Sequence, residues 1–350
     1  MRIAVLANLK MNAPHYEGMP VDRWDDLDTP YTMDAIVGVM RNLGHEAEFF
    51  EANILPPYNL VERLRAYQPD LCFNMSESHF GDARESQIPA VLEMLRIPYS
   101  GSRLFPLALA LDKAMTKRVL HYHGLPTAEF QVFEAGDEAL NPEFLNGGGE
   151  LRYPLLVKPN AEGTSMGVSA ESIVRSVPEL RARVASHLQR YNQPALVERF
   201  IEGREVLVGM VGNLPALTFM PILELDHAAY GDDHPGVYTN AMKNNGDLEA
   251  YHYLCPAPVS DALRAELLRL GEATFRALGC CDVARVDFRL DANDGDKPYI
   301  LEINPLPGLS PGYSDLCLQA LAMGWDHTRL VSAILDAALV RHGLRDPIRV

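Results

Sequence analysis

Two segments that alternate polar and apolar residues, Val283–Leu290 and Tyr299–Asn304, constrain the fold of this chain most. The turn-rich stretch DANDGDK separates them, which is typical of a β-hairpin. Because successive side chains of a strand point to opposite faces, Asp287, Glu302 and Asn304 are expected on one surface of this hairpin. Two carboxylates and an amide oxygen form a hard oxygen site that suits Mg²⁺ held jointly with nucleotide phosphates. An ordinary solvated sheet face is the alternative interpretation.

The same alternation assigns the other side chains of the hairpin. Arg285 and Arg289 share the polar face with Asp287. Leu301 and Ile303 fall on the opposite face, which we expect to pack into a hydrophobic core.

Composition and charge narrow the class of protein. Apolar residues make up 47% of the 350 residues and charged residues 22%, which is ordinary for a globular protein. The net charge of −16 disfavours nucleic acid and anionic membranes as partners. The five cysteines form no CxxC pair, which favours reduced thiols over disulfides or a zinc site. Because no signal peptide or long apolar run is evident, we expect a cytoplasmic enzyme; a homodimer is compatible with the sequence.

The first hundred residues alternate between strand and helix patterns. The predicted strands are Arg2–Ala7, Ala47–Phe50, Asp70–Asn74 and Ile97–Ser100, and the predicted helices are Tyr31–Leu43, Leu60–Tyr67 and Ser86–Leu95. This β-α-β order predicts a small parallel sheet with helices on both faces.

The remainder of the chain is divided into two further predicted domains, residues 104–194 and 195–350, after a first domain of residues 1–103. The predicted helices there are Leu109–His121, Ser176–His187, Asp315–Met323 and Thr328–His342, and the predicted strands outside the hairpin are Leu155–Lys158, Ala195–Phe200, Val206–Val211 and Leu217–Leu225.

Two further motifs carry candidate binding residues. Lys158 ends a strand and precedes EGTSMG, where backbone N–H groups of a glycine-bracketed loop could approach phosphate oxygens. A glycine-rich hairpin tip is the alternative. In ALVERFIEGREVLV, Glu198 and Glu205 flank a turn and suit the adenine amino group or ribose hydroxyls, although exposed acids are common. Lys113 in LDKAMTK, taken alone, is interpreted as a solvated lysine on a helix.

The order of these motifs resembles the D-alanine–D-alanine ligase branch of the ATP-grasp ligases. The pattern reads GS…ALDK…TK…GLP, LVKPNAEGTSMGVS, LVERFIEGREVLV and ARVDFRL…YILEINPLPG, and it is strongest from about Tyr99 to Gly308. The resemblance implies an α/β plus α+β architecture. A preATP-grasp domain with a parallel sheet would be followed by a two-domain ATP-grasp fold that clamps ATP.

The resemblance also implies residue roles. For the nucleotide, it implies that Lys113 and Lys158 bind phosphates, that Glu198, Arg199 and Ile201 contact adenine, that Glu205 binds ribose and that Lys243 is the lysine of the lid. The implied metal ligands are Asp287, Glu302 and Asn304. Arg285 and Gly308 would act at the reacting centre, and Thr164, with Ser165 beside it, would belong to the hydrogen-bond relay of the first substrate.

The implied reaction joins a small-molecule carboxylate to an amine through an acylphosphate, with ATP and Mg²⁺, or Mn²⁺ in its place. A ligase for another amino acid, peptide or natural-product carboxylate is one alternative. A nucleotide-binding protein without catalysis is another.

Several substrate positions depart from that family. The early acid that grips the first substrate's amine is matched by WDDLD, which leaves Asp25, Asp26 and Asp28 as alternatives. NMSESHFGDARES replaces the family's HGxxGEDG loop, and Asn244 replaces the relay tyrosine. Tyr313 stands at the acceptor serine, with Ser314 one place along. We therefore expect poor D-alanine–D-alanine ligase activity.

The acidic and histidine-rich segment ELDHAAYGDDHPG permits a second metal site. Its four candidate ligands are Asp226, His227, Asp232 and His234, and a solvated loop is the alternative.

Overall fold

The computed structural model describes residues 1–230, residue 236 and residues 252–345. Its helices are α1 (Pro30–Asn42), α2 (Leu60–Tyr67), α3 (Gln87–Leu95), α4 (Leu104–Leu111), α5 (Lys113–Tyr122), α6 (Val177–Tyr191), α7 (Asp261–Leu278), α8 (Asp315–Ala322) and α9 (His327–Arg341). Its strands are β1 (Arg2–Ala7), β2 (Glu46–Glu51), β3 (Leu71–Met75), β4 (Phe130–Phe133), β5 (Leu155–Pro159), β6 (Ile173–Val174), β7 (Ala195–Arg199), β8 (Gly203–Asn213), β9 (Ala216–Phe219), β10 (Leu223–Leu225), β11 (Tyr253–Leu254), β12 (Val283–Asp291) and β13 (Lys297–Asn304). They form three sheets.

The first sheet has the order β2-β1-β3 and is parallel, as predicted. Helix α1 begins where Pro30 follows Thr29, whose side chain accepts a hydrogen bond from the Thr32 amide. The predicted strand Ile97–Ser100 contributes only one bridge, from Tyr99 to Cys72.

The second sheet, β4-β7-β5-β6, is antiparallel and packs against α6. The single helix predicted over Leu109–His121 is wrong, because the chain leaves α4 at Asp112 and starts α5 there. The Asp112 side chain caps α5 by accepting from the Met115 amide, and it also accepts from Asn160. This break makes Lys113 the first residue of α5 and brings it beside the phosphate-loop candidate.

The third sheet has the order β11-β10-β8-β12-β13, with β9 also paired to β8. The strand predicted over Leu217–Leu225 is two strands, β9 and β10. Helix α7 was not predicted, although Ser260 caps its start and Gly279, with φ +72°, caps its end.

A glycine is required where β8 starts. Gly203 has φ +146°, and a Cβ there would lie 2.0 Å from the Leu290 carbonyl oxygen on β12. The close approach aligns β8 with β12 from Gly203 opposite Asp291 to Val211 opposite Val283.

The main hydrophobic core joins the two ends of the chain. Side chains of β1, β3 and α1 pack with side chains of α8 and α9 and with the end of β8. A second core lies between α7 and the third sheet. The boundaries at residues 103 and 194 stay predictions.

All five cysteines are free thiols. Among the described helices, none is both long and apolar enough to cross a membrane.

Candidate active site

The hairpin of β12 and β13 forms the floor of the candidate site. Asp287 lies opposite Glu302 and Arg285 lies opposite Asn304, as the alternation predicts. The register then shifts, so that Phe288 faces Ile300 and Leu301 is the extra residue of a bulge. The assignment of Leu301 to the core is therefore wrong.

Leu301 is instead half-buried and lines the cavity beside Glu302. Ile300 and Ile303 fill the core, at 0% and 2% exposed. Polar alternation cannot reveal such a bulge, because no glycine or proline marks it in the sequence.

A network of charged groups surrounds the hairpin floor. The Arg285 guanidinium binds both carboxylate oxygens of Asp287, at 2.8 and 2.9 Å, and reaches Asp315 at 3.0 Å. Asn304 donates its side-chain amide to Asp287 at 3.0 Å. Burial, together with the charges of Glu302 and Asp315, raises the pKa of Asp287 to about 6 despite Arg285.

The predicted metal ligands suit a hard divalent cation. Asp287, Glu302 and Asn304 present only oxygen and amide donors, and their charges would be balanced by Mg²⁺ or Mn²⁺ completed by phosphate oxygens. Within the described part of the chain, no cluster of three or more histidine, cysteine, aspartate or glutamate side chains could hold a metal by itself.

Three lysines lie close to this floor. Lys113 is 3.3 Å from the Glu302 carboxylate and donates to the Glu162 carbonyl at 2.6 Å. Lys158 and Lys117 hold the two oxygens of Glu198 at 2.6 and 2.7 Å.

In the buried ion triad of Lys117, Glu198 and Lys158, the two lysines stabilise the charged form of the Glu198 carboxylate. Burial alone would raise the pKa of Glu198, but the two ammonium groups hold it at about 2. Lys117 is fully buried and was not singled out from the sequence, although it is the lysine of the quoted TK pair.

One narrow cavity lies between the second and third sheets. Its volume is about 90 Å³, below the roughly 300–1,000 Å³ of most small-molecule sites. Seven predicted nucleotide and relay residues line it together: Lys113, Lys158, Ser165, Glu198, Arg199, Ile201 and Glu205. Apolar walls that the sequence analysis did not identify are Leu156, Met166, Val168, Phe200 and Leu301.

A larger cavity of about 680 Å³ lies toward the first sheet. Its lining includes the remaining predicted residues Arg285, Asn304, Gly308, Thr164, Tyr313 and Ser314 and the three acids Asp25, Asp26 and Asp28. Lys113, Glu162 and Glu302 line both cavities, so the two spaces meet at these side chains.

The glycine-bracketed loop lies where the cavities meet. Thr164 and Ser165 both have left-handed backbone conformations, with φ +47° and +53°, which are costly for non-glycine residues. Asp22 of the first long loop accepts from the Gly167 amide at 2.9 Å, and Arg23 pairs with Glu162. These contacts fasten the loop to the N-terminal part of the chain.

The turn that follows Gly308 contains the predicted acceptor position and is called the acceptor turn. It places Ser314 rather than Tyr313 beside Gly308. The Ser314 hydroxyl accepts from the Ser310 amide at 2.9 Å, and a Cβ on Gly308 would lie 2.9 Å from the same oxygen. The Tyr313 ring is 42% exposed and lines the larger cavity.

Lys243, Asn244, Asp232 and His234 lie outside the described residues. Of the second-metal candidates, His227 is within 3.5 Å of the Glu205 carboxylate.

The chain is similar to known proteins along most of its length. Residues 119–336 match the family model described as the D-ala D-ala ligase C-terminus. The chain is 33% identical over 310 residues to a D-alanine–D-alanine ligase of Syntrophotalea carbinolica, covering 89% of this chain and 91% of the relative. It is 32% identical over 317 residues to an uncharacterized protein, y4sG, of Sinorhizobium fredii, covering 88% of each.

A solved structure shows the same fold. The D-alanine–D-alanine ligase of Bacillus anthracis, crystallised with ATP, superposes with a TM-score of 0.71 at 23% identity, covering 99% of this chain and 100% of that one. The expected fold class is thereby confirmed. With the family model matching more than half of the residues, this chain belongs to the D-alanine–D-alanine ligase family of ATP-grasp ligases.

Proposed function

We propose that the protein is an ATP- and Mg²⁺-dependent ligase that joins a carboxylate to an amine through an acylphosphate. The observation that carries this proposal is the meeting of the two cavities at Lys113, Glu162 and Glu302. A γ-phosphate entering from the narrow cavity would there reach a carboxylate held in the larger one.

The narrow cavity is assigned to the nucleotide. Lys113 and Lys158 would neutralise phosphate charge, Glu205 would bind the ribose, and the segment from Arg199 to Ile201 would contact adenine. Because both oxygens of Glu198 are held by lysines, its carboxylate would act by positioning Lys158. The volume of about 90 Å³ is below that of most small-molecule sites, roughly 300–1,000 Å³, so we expect this cavity to widen when the nucleotide enters.

The reaction would proceed in two steps. A carboxylate oxygen attacks the γ-phosphorus, an acylphosphate forms and ADP leaves. The amine then attacks the acyl carbon, and the tetrahedral oxyanion collapses with loss of phosphate.

Arg285 and backbone amides near Gly308 are assigned to the oxyanion, because Asp287 and Asp315 fix the guanidinium at the cavity wall. Thr164 and Ser165 would position the first substrate. A bound Mg²⁺ held by Asp287, Glu302 and Asn304 would supply charge neutralisation of the transferred phosphoryl group.

The acceptor turn supports a substrate other than D-alanine. The Tyr313 side chain lines the cavity wall at the position where the family has a serine. Sites built to hydrogen-bond a substrate group discriminate by about 10⁴-fold or more against compounds that lack it, and the family's serine for this contact is replaced here. We therefore expect D-alanine to be a poor substrate and another amino acid, peptide or natural-product carboxylate to be preferred.

A screen of ADP release tests the proposal. The protein is incubated with ATP, Mg²⁺ and pairs from a panel of amino acids and dipeptides, and amide products are identified by mass spectrometry, with Mn²⁺ as a second arm. Amine-dependent ADP release is expected; nucleotide binding without such release would instead support a protein that has lost catalysis. A D-alanyl-D-alanine kcat/KM above about 10⁴ M⁻¹s⁻¹ would contradict the expected substrate preference.

A further inference from the structure

We propose that one of the two substrates is a small amino compound with at least two cationic nitrogen atoms. The inference rests on the proposed ligase function and names the substrate class of its larger cavity. It is carried by an excess of carboxylates on the cavity wall that faces the first sheet.

The charges on this wall do not balance. Six lining acids are present, namely Asp25, Asp26, Asp28, Glu77, Glu85 and Glu162. The cations within 4 Å of them are Lys10, Arg23 and Arg84 among the described residues. Among the described residues, this wall therefore has three more carboxyl groups than cationic side chains.

Arg84 cannot neutralise its neighbours one by one. Its guanidinium is 2.5 Å from Asp26 and 3.5 Å from Glu162, but 3.7 Å from Glu85 and 3.9 Å from Glu77. One positive charge is thus shared by four carboxylates, and the two glutamates hold its weakest contacts.

Asp28, together with Glu77 and Glu85, is an acid of this wall that has no cation of its own among the described residues. Its carboxylate makes no hydrogen bond or ion pair with any residue in the described part of the chain, and it lines the cavity. Burial, with the charge of Asp26, raises the pKa of Asp28 to about 7. Burial likewise raises the pKa of Glu85 to about 7 and that of Glu77 well above its usual range.

The arrangement suits nitrogen cations on a small molecule. No three of these acids converge to hold a metal ion among the described residues, so the site offers separate carboxyl groups to separate nitrogens. The volume of about 680 Å³ lies within the roughly 300–1,000 Å³ of small-molecule sites. The reacting end would meet Arg285 and Gly308 on the same cavity while two nitrogens meet the acids.

The spacing of the acids differs from that of the family. Glu77 and Glu85 are eight positions apart in NMSESHFGDARES, whereas the two acids of the family's HGxxGEDG loop are adjacent. A substrate with one amine needs one of these carboxylates, whereas this chain offers three without a cation of their own.

Binding can be measured without turnover. Calorimetry is performed with Mg²⁺ and a non-hydrolysable ATP analogue present, and the probes are alanine, 2,4-diaminobutyrate, ornithine and lysine as both enantiomers, with 1,3-diaminopropane as an amine lacking a carboxylate. A charge-assisted hydrogen bond contributes about 1.5–3 kcal/mol, so we expect at least one diamino probe to bind about tenfold or more tighter than alanine.

Three matched variants locate the effect. Glu85→Gln and Asp28→Asn should weaken the preferred diamino probe about tenfold or more while changing alanine binding much less. Glu62→Gln, an exposed acid on α2, should change neither. Melting temperatures identify any variant that fails to fold, and the wild-type comparison between probes does not depend on the variants.

Turnover assays show whether the carboxylate substrate or the amine substrate is the polycation. They also distinguish a failure of this inference from a failure of the ligase proposal. ADP release with a diamino acid and a simple amine identifies the carboxylate substrate as the polycation, and release with alanine and 1,3-diaminopropane identifies the acceptor. Alanine binding as tightly as every diamino probe would overturn this inference and leave the ligase proposal standing. Selective diamino binding without ADP release for any pair would overturn the ligase proposal and leave the diamino compound as a ligand of the cavity rather than a substrate.

Discussion

Lys158 and Lys117 bind the same carboxylate yet face different surroundings. Lys158 lines the narrow cavity, whereas Lys117 is fully buried and does not line it. The two lysines therefore offer a matched pair in which nucleotide binding can be separated from folding.

Replacing Lys158 with methionine should weaken ATP binding by about 1.5–3 kcal/mol, because one charge-assisted phosphate contact is lost. Both variants should lower the melting temperature, because each removes one partner of the buried Glu198 carboxylate, but Lys117→Met should change the ATP affinity much less because Lys117 does not line the cavity. Calorimetric titration and thermal melting of both variants check this. Unchanged ATP affinity in Lys158→Met would mean that the lysine has only a structural role.

Glu302→Gln should abolish ADP release without lowering the melting temperature. The side chain lines both cavities and lies on the polar side of β13, so it contributes to charge at the site rather than to the core. Asp287→Asn should also lose ADP release and regain some at high Mg²⁺, but it should lower the melting temperature because it breaks the buried ion pair with Arg285. Normal turnover in Glu302→Gln would refute the metal role.

At the level of the element, the bulge in β13 decides which apolar side chain lines the narrow cavity. Leu301→Ala should weaken ATP binding about 5- to 30-fold, because one to two kcal/mol of apolar contact is lost, and it should leave the melting temperature almost unchanged. Ile300→Ala should show the reverse, destabilising the fold by about 2–5 kcal/mol as a buried deletion. Equal effects of the two variants on melting would contradict the bulge.

Sequence patterns could predict the hairpin because polar and apolar residues alternate along both strands. They predicted that Asp287, Glu302 and Asn304 would share one face, but they could not predict the bulge, which adds one residue without any change of residue type. The break between α4 and α5 at Asp112 leaves only one sign in the sequence, an aspartate that can cap a helix. The pairing of Glu198 with two lysines depends on strands distant in sequence, which local pattern cannot reveal.

For the molecule as a whole, stability combines groups that respond oppositely to pH. Raised carboxyl pKa values, such as about 7 for Glu85, mean that the folded protein holds extra protons, so their contribution is lost as pH rises from about 4.5 to 7. Buried histidines such as His187, whose pKa burial lowers, act in the opposite direction, and their contribution is lost as pH falls below 6.5.

The variant Glu85→Gln isolates the contribution of Glu85 to the pH dependence of stability. Because glutamine mimics the protonated carboxyl, the variant should gain stability relative to the wild type as pH increases from 5 to 8. Each unit of pKa shift corresponds to about 1.4 kcal/mol. Chemical denaturation at both pH values measures the gain, and an equal difference at pH 5 and pH 8 would show that Glu85 titrates normally.

The core shared by the two ends of the chain has a consequence for synthesis on the ribosome. Helix α9, which ends at Arg341, packs against β1 and α1, so the N-terminal sheet cannot cover its apolar face until the last helix emerges. At about 5–20 residues per second, that interval lasts roughly 10–50 s after α3 is made. Throughout this time the nascent chain offers chaperones an exposed hydrophobic surface, and a protein truncated before α9 should accumulate bound to them.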